Sequence, residues 1–326
     1  MIGSFTFAVF GWFMGAIGHD AGHFAVSRRP WINEWCVWAM SLISNPIMWQ
    51  HQHTYSHHSF TNEFDQDPDL HHFHMLLRVH EKVPANAKKY GKQSSLVHVV
   101  YSFTFIAFAT CVAIPLFMLE KGHLYGVVNF QDKDRTTKAM GLRLHVAIYG
   151  LLVIVVPLFT NKSPLHGLLA VYVHIATMGI LFGMFSQINH LTEIALSSDL
   201  QTRATKRKEC CNSSPRTSST KKSSSRDVIR NSSIPTEESW ARAQVETSNN
   251  FATSSWLWYF LSNGLNFQIE HHLFPQLNHC HLHHIAPVVQ QTCKEYNVNY
   301  KSYDSWHDIM SSLLDWLGKL SVGQMR

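Results

Sequence analysis

Three histidine clusters, each set beside a long apolar run, constrain this chain more than any other feature. "HDAGH" places His19 and His23 four apart. "HTYSHH" places His53 and His57 four apart, with His58 adjacent. "QIEHH" spaces Gln268, His271 and His272 by three and four. Residues at these spacings share a helix face, so each cluster can aim several side chains at one point. Imidazole suits iron, copper, zinc and nickel. With 23 histidines in the chain, one HxxxH pair arises readily by chance. Three clusters in this order, two of them with adjacent histidines, are a far more specific signal.

The apolar runs fix the setting. Charged residues are 15% of the chain, below the usual quarter, and aromatics are 12%. Residues 2–18 carry no charge and are followed by Arg28 and Arg29. Basic residues stay on the cytosolic side, so the chain starts on the lumenal side. A secretory signal would need a charged segment ahead of the apolar one, and none is present. Residues 31–49 are Trp-rich but interrupted by Asn33, Glu34, Asn45 and Pro46, which reads as an interfacial or buried helix. Residues 50–95 are polar and lie outside the bilayer. Apolar runs follow at 97–119, 144–160 and 165–186, the last two joined by "NKSP" as a tight hairpin.

Residues 199–239 are rich in Ser, Lys and Arg and poor in apolar side chains, the composition of a disordered loop. Much of the net charge of +5 lies at 203–230, without aromatics for base stacking, so no nucleic-acid partner is expected. The division is therefore 1–198, the loop 199–239, and 240–326. The third part holds an amphipathic segment near 240–251, an aromatic run at 256–267 and a helix around 304–320. The six cysteines show no CxxC pair and no regular framework, so neither a zinc ribbon nor a disulfide scaffold is indicated.

Other histidines carry less. "HHFH" at 71–74 and "HCHLHH" at 279–284 read as polar surface or as support for ligands. His145, His166 and His174 lie in or beside apolar runs and read as core histidines. His190 differs, because "SQINH" ends at the exit of the last apolar run. An ionisable residue there is a functional position, and His190 is read as a ligand.

HDAGH, HTYSHH and QIEHH, in this order, resemble the three histidine boxes of membrane fatty-acid desaturases. Gln at the start of the third box resembles the front-end branch, as do "QVETSNNF" (244–251) and "GLNFQIEHHLFPQL" (264–277). The resemblance covers most of residues 5–300 apart from the polar loop. It implies an all-α integral membrane protein whose transmembrane helices carry a cytosolic histidine-rich cap with a di-iron site. It implies His19, His23, His53, His57, His58, His190, His271 and His272 as ligands. Gln268 takes the variant position, binding directly or through water. Asp20, Asp67, Asp69 and Glu270 are expected to orient ring N–H groups, and no catalytic side chain is expected beyond the metal site.

The implied reaction removes two hydrogens from an acyl chain with O2, on an acyl-lipid or acyl-CoA. Electrons come from a separate cytochrome b5 and an NADH-dependent reductase, in the endoplasmic reticulum. An alkyl C–H bond has no acidity for a base to exploit, and redox-inert zinc cannot activate O2, so a redox metal is needed. All boxes must meet on one side, so His58 to His190 crosses the membrane an even number of times. Residues 97–119 are therefore expected to be interfacial or re-entrant, with 144–160 and 165–186 as the hairpin. Lys121, Lys133, Arg135 and Lys138 favour a cytosolic 120–141 loop, and sequons at Asn212 and Asn231 should stay unmodified.

The chain departs from the pattern in carrying no His-Pro-Gly-Gly haem motif and in starting its first box at residue 19. An N-terminally shortened form, inactive or serving an active partner, is thus one alternative. A sphingolipid long-chain-base desaturase and a hydroxylase are others, because the same boxes serve them.

Overall fold

The computed structural model describes residues 1–130, 135–196 and 237–321. Among these, four helices are long and apolar enough to cross a membrane: α1 (Ile2–Gly22), α2 (Leu96–Lys121), α3 (Thr137–Thr160) and α4 (Pro164–Gln187). The turn between α3 and α4 follows from "NKSP". Pro164 opens α4, and the Ser163 hydroxyl accepts the His166 N–H at 3.4 Å. Gly167 then lets α4 fold back closely on α3, since a Cβ there would lie 2.8 Å from Leu158 Cα.

α1 runs parallel to α4. Phe7 meets His174 at 5.3 Å between ring centroids, and Trp12 meets Phe185 at 5.7 Å. Both helices therefore end at the same level, with His19 and His23 on one and His190 just past the other. Gly18 and Gly22 face the segment that follows. A Cβ on Gly18 would lie 2.5 Å from Met40 N, and one on Gly22 would strike the Trp49 ring. That close approach seats residues 37–49 against α1, one cluster directly beside the next.

Residues 97–119 fall within α2, whose 26 residues are long enough to span. Its two ends nevertheless touch the same end of the α3–α4 hairpin. Phe103 lies over Gly179 and Gly183 near the end of α4. Ile114 and Met118 pack with Leu142, near the start of α3, and with Met48. Between them, the Asn45 N–H donates to Thr110 O at 3.1 Å and the Thr110 hydroxyl donates to Ile43 O at 2.8 Å.

Among the described residues, five α-helices that follow the polar loop complete a cap: α5 (Glu237–Glu246), α6 (Trp256–Leu261), α7 (Gln268–Leu273), α8 (Leu282–Glu295) and α9 (Trp306–Ser321). The polar loop lies outside the described residues up to 236, and α5 begins inside its expected boundary. The sequons at Asn212 and Asn231, with the expected disorder around them, are likewise outside. Strand β1 (His123–Leu124) pairs antiparallel with β2 (Val128–Asn129), and β3 (Asn250–Phe251) pairs parallel with β4 (Ser302–Tyr303).

One core joins both halves of the chain. Trp12, Leu77, Phe103 and Ile188 pack in the same cluster as Phe251, Leu313 and Leu317. Arg78 ties the α9 end down by donating to Leu320 O at 2.6 Å, and Gln93 donates to Leu317 O at 2.7 Å.

Candidate metal centre

The three clusters meet where α1 and α4 end. Asn45 starts the second by accepting the Ile47 and Met48 N–H groups, each at 3.2 Å. The helix then widens into a π turn over Gln50–His57, with His58 N donating to His53 O at 3.2 Å. An α turn would align His53 with His57 alone. The five-residue turn places His57 and His58 on either side of that line, so adjacent histidines serve different points.

Two nests result. Ring nitrogens of His19, His23, His53 and His271 all lie within 4.8 Å of one another, and those of His57, His190 and His272 do the same. His58 stands between them. Its Nε2 is 3.1 Å from both His53 Nε2 and His271 Nε2, and its ring stacks on His272 at 4.3 Å. His53, His57 and Asp69 form a third, overlapping group. The Gln268 amide nitrogen is placed 3.0 Å from His190 Nε2, so this side chain enters the second nest.

Neighbouring acceptors fix the tautomers of the second nest. His57 Nδ1–H donates to Asp67 Oδ2 at 2.9 Å, and His190 Nδ1–H to Thr247 O at 3.1 Å. His272 Nδ1–H donates to Gln244 Oε1 at 2.9 Å, an amide oriented by its own donation to His58 O at 3.1 Å. A neutral imidazole with its proton on Nδ1 presents a lone pair on Nε2. The Nε2 atoms of His190 and His272 are nevertheless only 3.1 Å apart. Two buried lone pairs facing each other repel, and a cation between them removes the conflict. In the first nest, His23 Nε2 is buried without a hydrogen-bond partner among the described residues. The donor set thus fits metal ions.

Protonation agrees with ligation. Burial holds His23, His53, His58, His271 and His272 well below the ordinary histidine value, reinforced by neighbouring imidazoles. His190 is lowered to about 3 by burial and then by His57. Neutral imidazole is the form that binds metal. His57 is the exception. Burial works against its charge, but Asp67, and Asp69 at 3.7 Å, push it up to about 9.

The expected supporting acids divide three to one. Asp67 holds His57, and Asp69 lies near both His57 and His72 while accepting from Gln52 at 2.6 Å. Asp20 Oδ1 lies 3.4 Å from His19 Nδ1, and its other oxygen accepts from His279 Nδ1 at 2.6 Å. Glu270 touches no histidine ring. It accepts from Asn250 Nδ2 and the Tyr300 hydroxyl, each at 2.8 Å, and so fastens α7 to the β3 edge.

Sequence reasoning did not single out Gln244, Thr247 or His279. Gln244 opens the "QVETSNNF" stretch, the one signal that could have found it. His279 belongs to the 279–284 cluster, read as polar surface or as support for ligands, and it reaches Asp20, which lies beside His19. His145, bonded through Nε2 to Ser41 O at 2.9 Å, and His174, beside Phe7, stay outside both nests, as do His71, His72 and His74. A cleft opens onto the nests, with Trp12, Ile43 and Phe182 as apolar wall and His19, His53 and His190 at its polar end.

Membrane-length helices carrying two nests of closely set histidines at one end define a membrane protein with a candidate metal centre. The chain belongs to the fatty acid desaturase family, whose model matches residues 1–304. It is 24% identical over 306 residues to the sn-1 linoleoyl-lipid 6-desaturase of Synechocystis, covering 92% of this chain and 74% of that protein. It is 25% identical to the acyl-lipid (8-3)-desaturase of Physcomitrium patens, covering 95% of this chain and 58% of the relative. It is 26% identical to the acyl-lipid (7-3)-desaturase of Diacronema lutheri, covering 99% of this chain and 64% of the relative. The chain thus spans about three fifths of the length of these two eukaryotic relatives. No solved structure matches it.

Proposed function

We propose that this protein is a front-end acyl-lipid desaturase, introducing a cis double bond between the carboxyl end of an unsaturated acyl chain and an existing double bond. The observation that carries the reading is the pair of nests. Seven histidines divide four and three, and His58 stands between the groups. Two irons fit this division, and the relatives' names supply the acyl-lipid substrate class. When bound, the irons would supply the redox chemistry that O2 and an unactivated C–H bond require.

The chain's own residues do the rest. Asp67, Thr247 O and Gln244 hold the Nδ1 protons away from the centre. Trp12, Ile43 and Phe182 offer an apolar wall on which an acyl chain can lie beside the ring nitrogens. The nests are assigned to the cytosolic side, supported by Arg28 and Arg29 after α1. The same-end contacts of α2 support a segment that enters and leaves on that side, keeping the number of crossings even. Electrons are assigned to a separate cytochrome b5 and its NADH-dependent reductase. That donor goes with the endoplasmic reticulum, while a bacterial relative points to other membranes as well.

The test is a fatty-acid profile. The chain and His271→Ala are expressed in yeast fed di- and tri-unsaturated fatty acids, and double bonds are located by gas chromatography. A new front-end double bond with the wild type alone supports the reading. Wild-type protein in the membrane with iron bound but no product removes it.

A further inference from the structure

The six residues of α6, "WLWYFL", turn an apolar face outward instead of burying it. Trp256 is 70% exposed, Leu257 63% and Phe260 63%. Positions 256 and 260 are four apart, with 257 beside them, so these three form one face. No Asp, Glu, Lys or Arg occurs from 247 to 269. Contiguous exposed apolar surface of this kind marks an interaction site.

The position of α6 against α1 says what covers it. The Trp12 indole N–H donates to Leu261 O at 2.9 Å, and Asn263 Nδ2 donates to Trp12 O at 3.0 Å. The Phe260 ring lies 4.8 Å from the Phe13 ring. Phe13 is six residues before His19, about 9 Å down the α1 axis at 1.5 Å per residue. The α6 face is therefore docked below the histidine level, against a helix long and apolar enough to cross the membrane. Phe10 and Ile17 of that helix are exposed too, so the two outward faces are continuous.

We propose that α6 inserts into the acyl-chain region of the membrane leaflet beside α1, anchoring the approach to the third histidine cluster in lipid. The proposal rests on the membrane reading of α1. The partner is the lipid leaflet, because the surface that α6 extends is the outward face of a membrane helix. Insertion also gives a local reason for Asn263 and Gly264, both at positive φ: the chain must turn sharply upward from α6 to reach α7.

Site-specific photocrosslinking tests this. A benzophenone amino acid replaces Leu257, Phe10 or Gln291 in separate full-length chains, in membranes containing radiolabelled phosphatidylcholine. Gln291, exposed on α8, is the water-facing control. Lipid adducts from positions 257 and 10, in comparable yield, with none from 291, are expected. Adducts from 10 but none from 257 would overturn insertion while leaving the membrane reading intact, as would a protein adduct at 257 in place of lipid. Loss at both positions would remove the membrane reading and this proposal together. Trp256 serves as a second probe site should the Leu257 variant fail to reach the membrane.

Discussion

His190 Nε2 and His272 Nε2 lie 3.1 Å apart, and neither has a proton to give the other. Thr247 O holds the His190 proton on Nδ1, and Gln244 holds the His272 proton there. Removing either ring should therefore cost metal before it costs fold. His190→Ala and His272→Ala should lower bound iron per chain without emptying the His19–His23–His53–His271 nest. Iron measured by mass spectrometry on purified protein, beside a thermal melt, checks this. Full iron in either variant would show that the second nest holds none.

Asp67→Asn tests the orientation of His57. The carboxylate accepts from His57 Nδ1, the Asn62 N–H and the Asp69 N–H, at 2.9, 2.8 and 2.9 Å. An amide can accept with its oxygen but cannot match the charge. Loss of such an orienting partner typically costs 10–100-fold, so a metal affinity lower by about that factor is expected. Competition with a chelator of known affinity provides the measurement. His279→Asn should act in the same direction on the first nest, through Asp20 and His19, with a smaller effect because the Asp20–His19 contact is 3.4 Å.

Much of this centre was legible in the sequence because helical spacing carries it. His19 with His23, and Gln268 with His271 and His272, follow from three- and four-residue intervals on helices that exist as expected. The division of adjacent His57 and His58 between two points was not legible, because it depends on a π turn that no spacing rule signals. Gln244 and Thr247 were hidden for a different reason. They act through a backbone carbonyl and an uncharged amide, and reach their histidines only after folding across more than 25 residues. Glu270 shows the converse. Adjacent to His271 in sequence, it points to Asn250 and Tyr300, because neighbouring helical residues face different directions.

Acid should destabilise the metal-free protein. His190 titrates near 3 in the fold, against an ordinary value of 6.5, and His23, His53, His58, His271 and His272 are lowered as well. Below about pH 6.5 the unfolded chain takes up protons that the fold refuses, so stability falls as pH falls toward 3. His57 runs the other way. Raised to about 9, its contribution is complete below 6.5 and is lost as pH rises through 9. The lowered groups outnumber it, so the melting temperature should drop between about pH 7 and pH 5. Iron-loaded protein should drop more steeply, since protons also compete for the ligands. A melting temperature that is flat or rising toward acid would contradict the buried neutral imidazoles.

Gly22 is where packing and metal binding join. A Cβ there would strike the Trp49 ring, and Trp49 stacks on His53 at 4.6 Å between centroids, 23° from parallel. Gly22→Val must therefore push Trp49 aside, and His53 with it. Overpacking of this kind costs about 1–3 kcal/mol, and the displaced ring should also weaken the first nest. Reducing the obstruction separates the two effects. Gly22→Val with Trp49→Leu should recover thermal stability but not full iron, because the stacking partner of His53 is gone. If the double variant recovers both, Trp49 only fills space. If the single variant loses stability yet keeps all its iron, His53 is held by its own helix and not by the indole beside it.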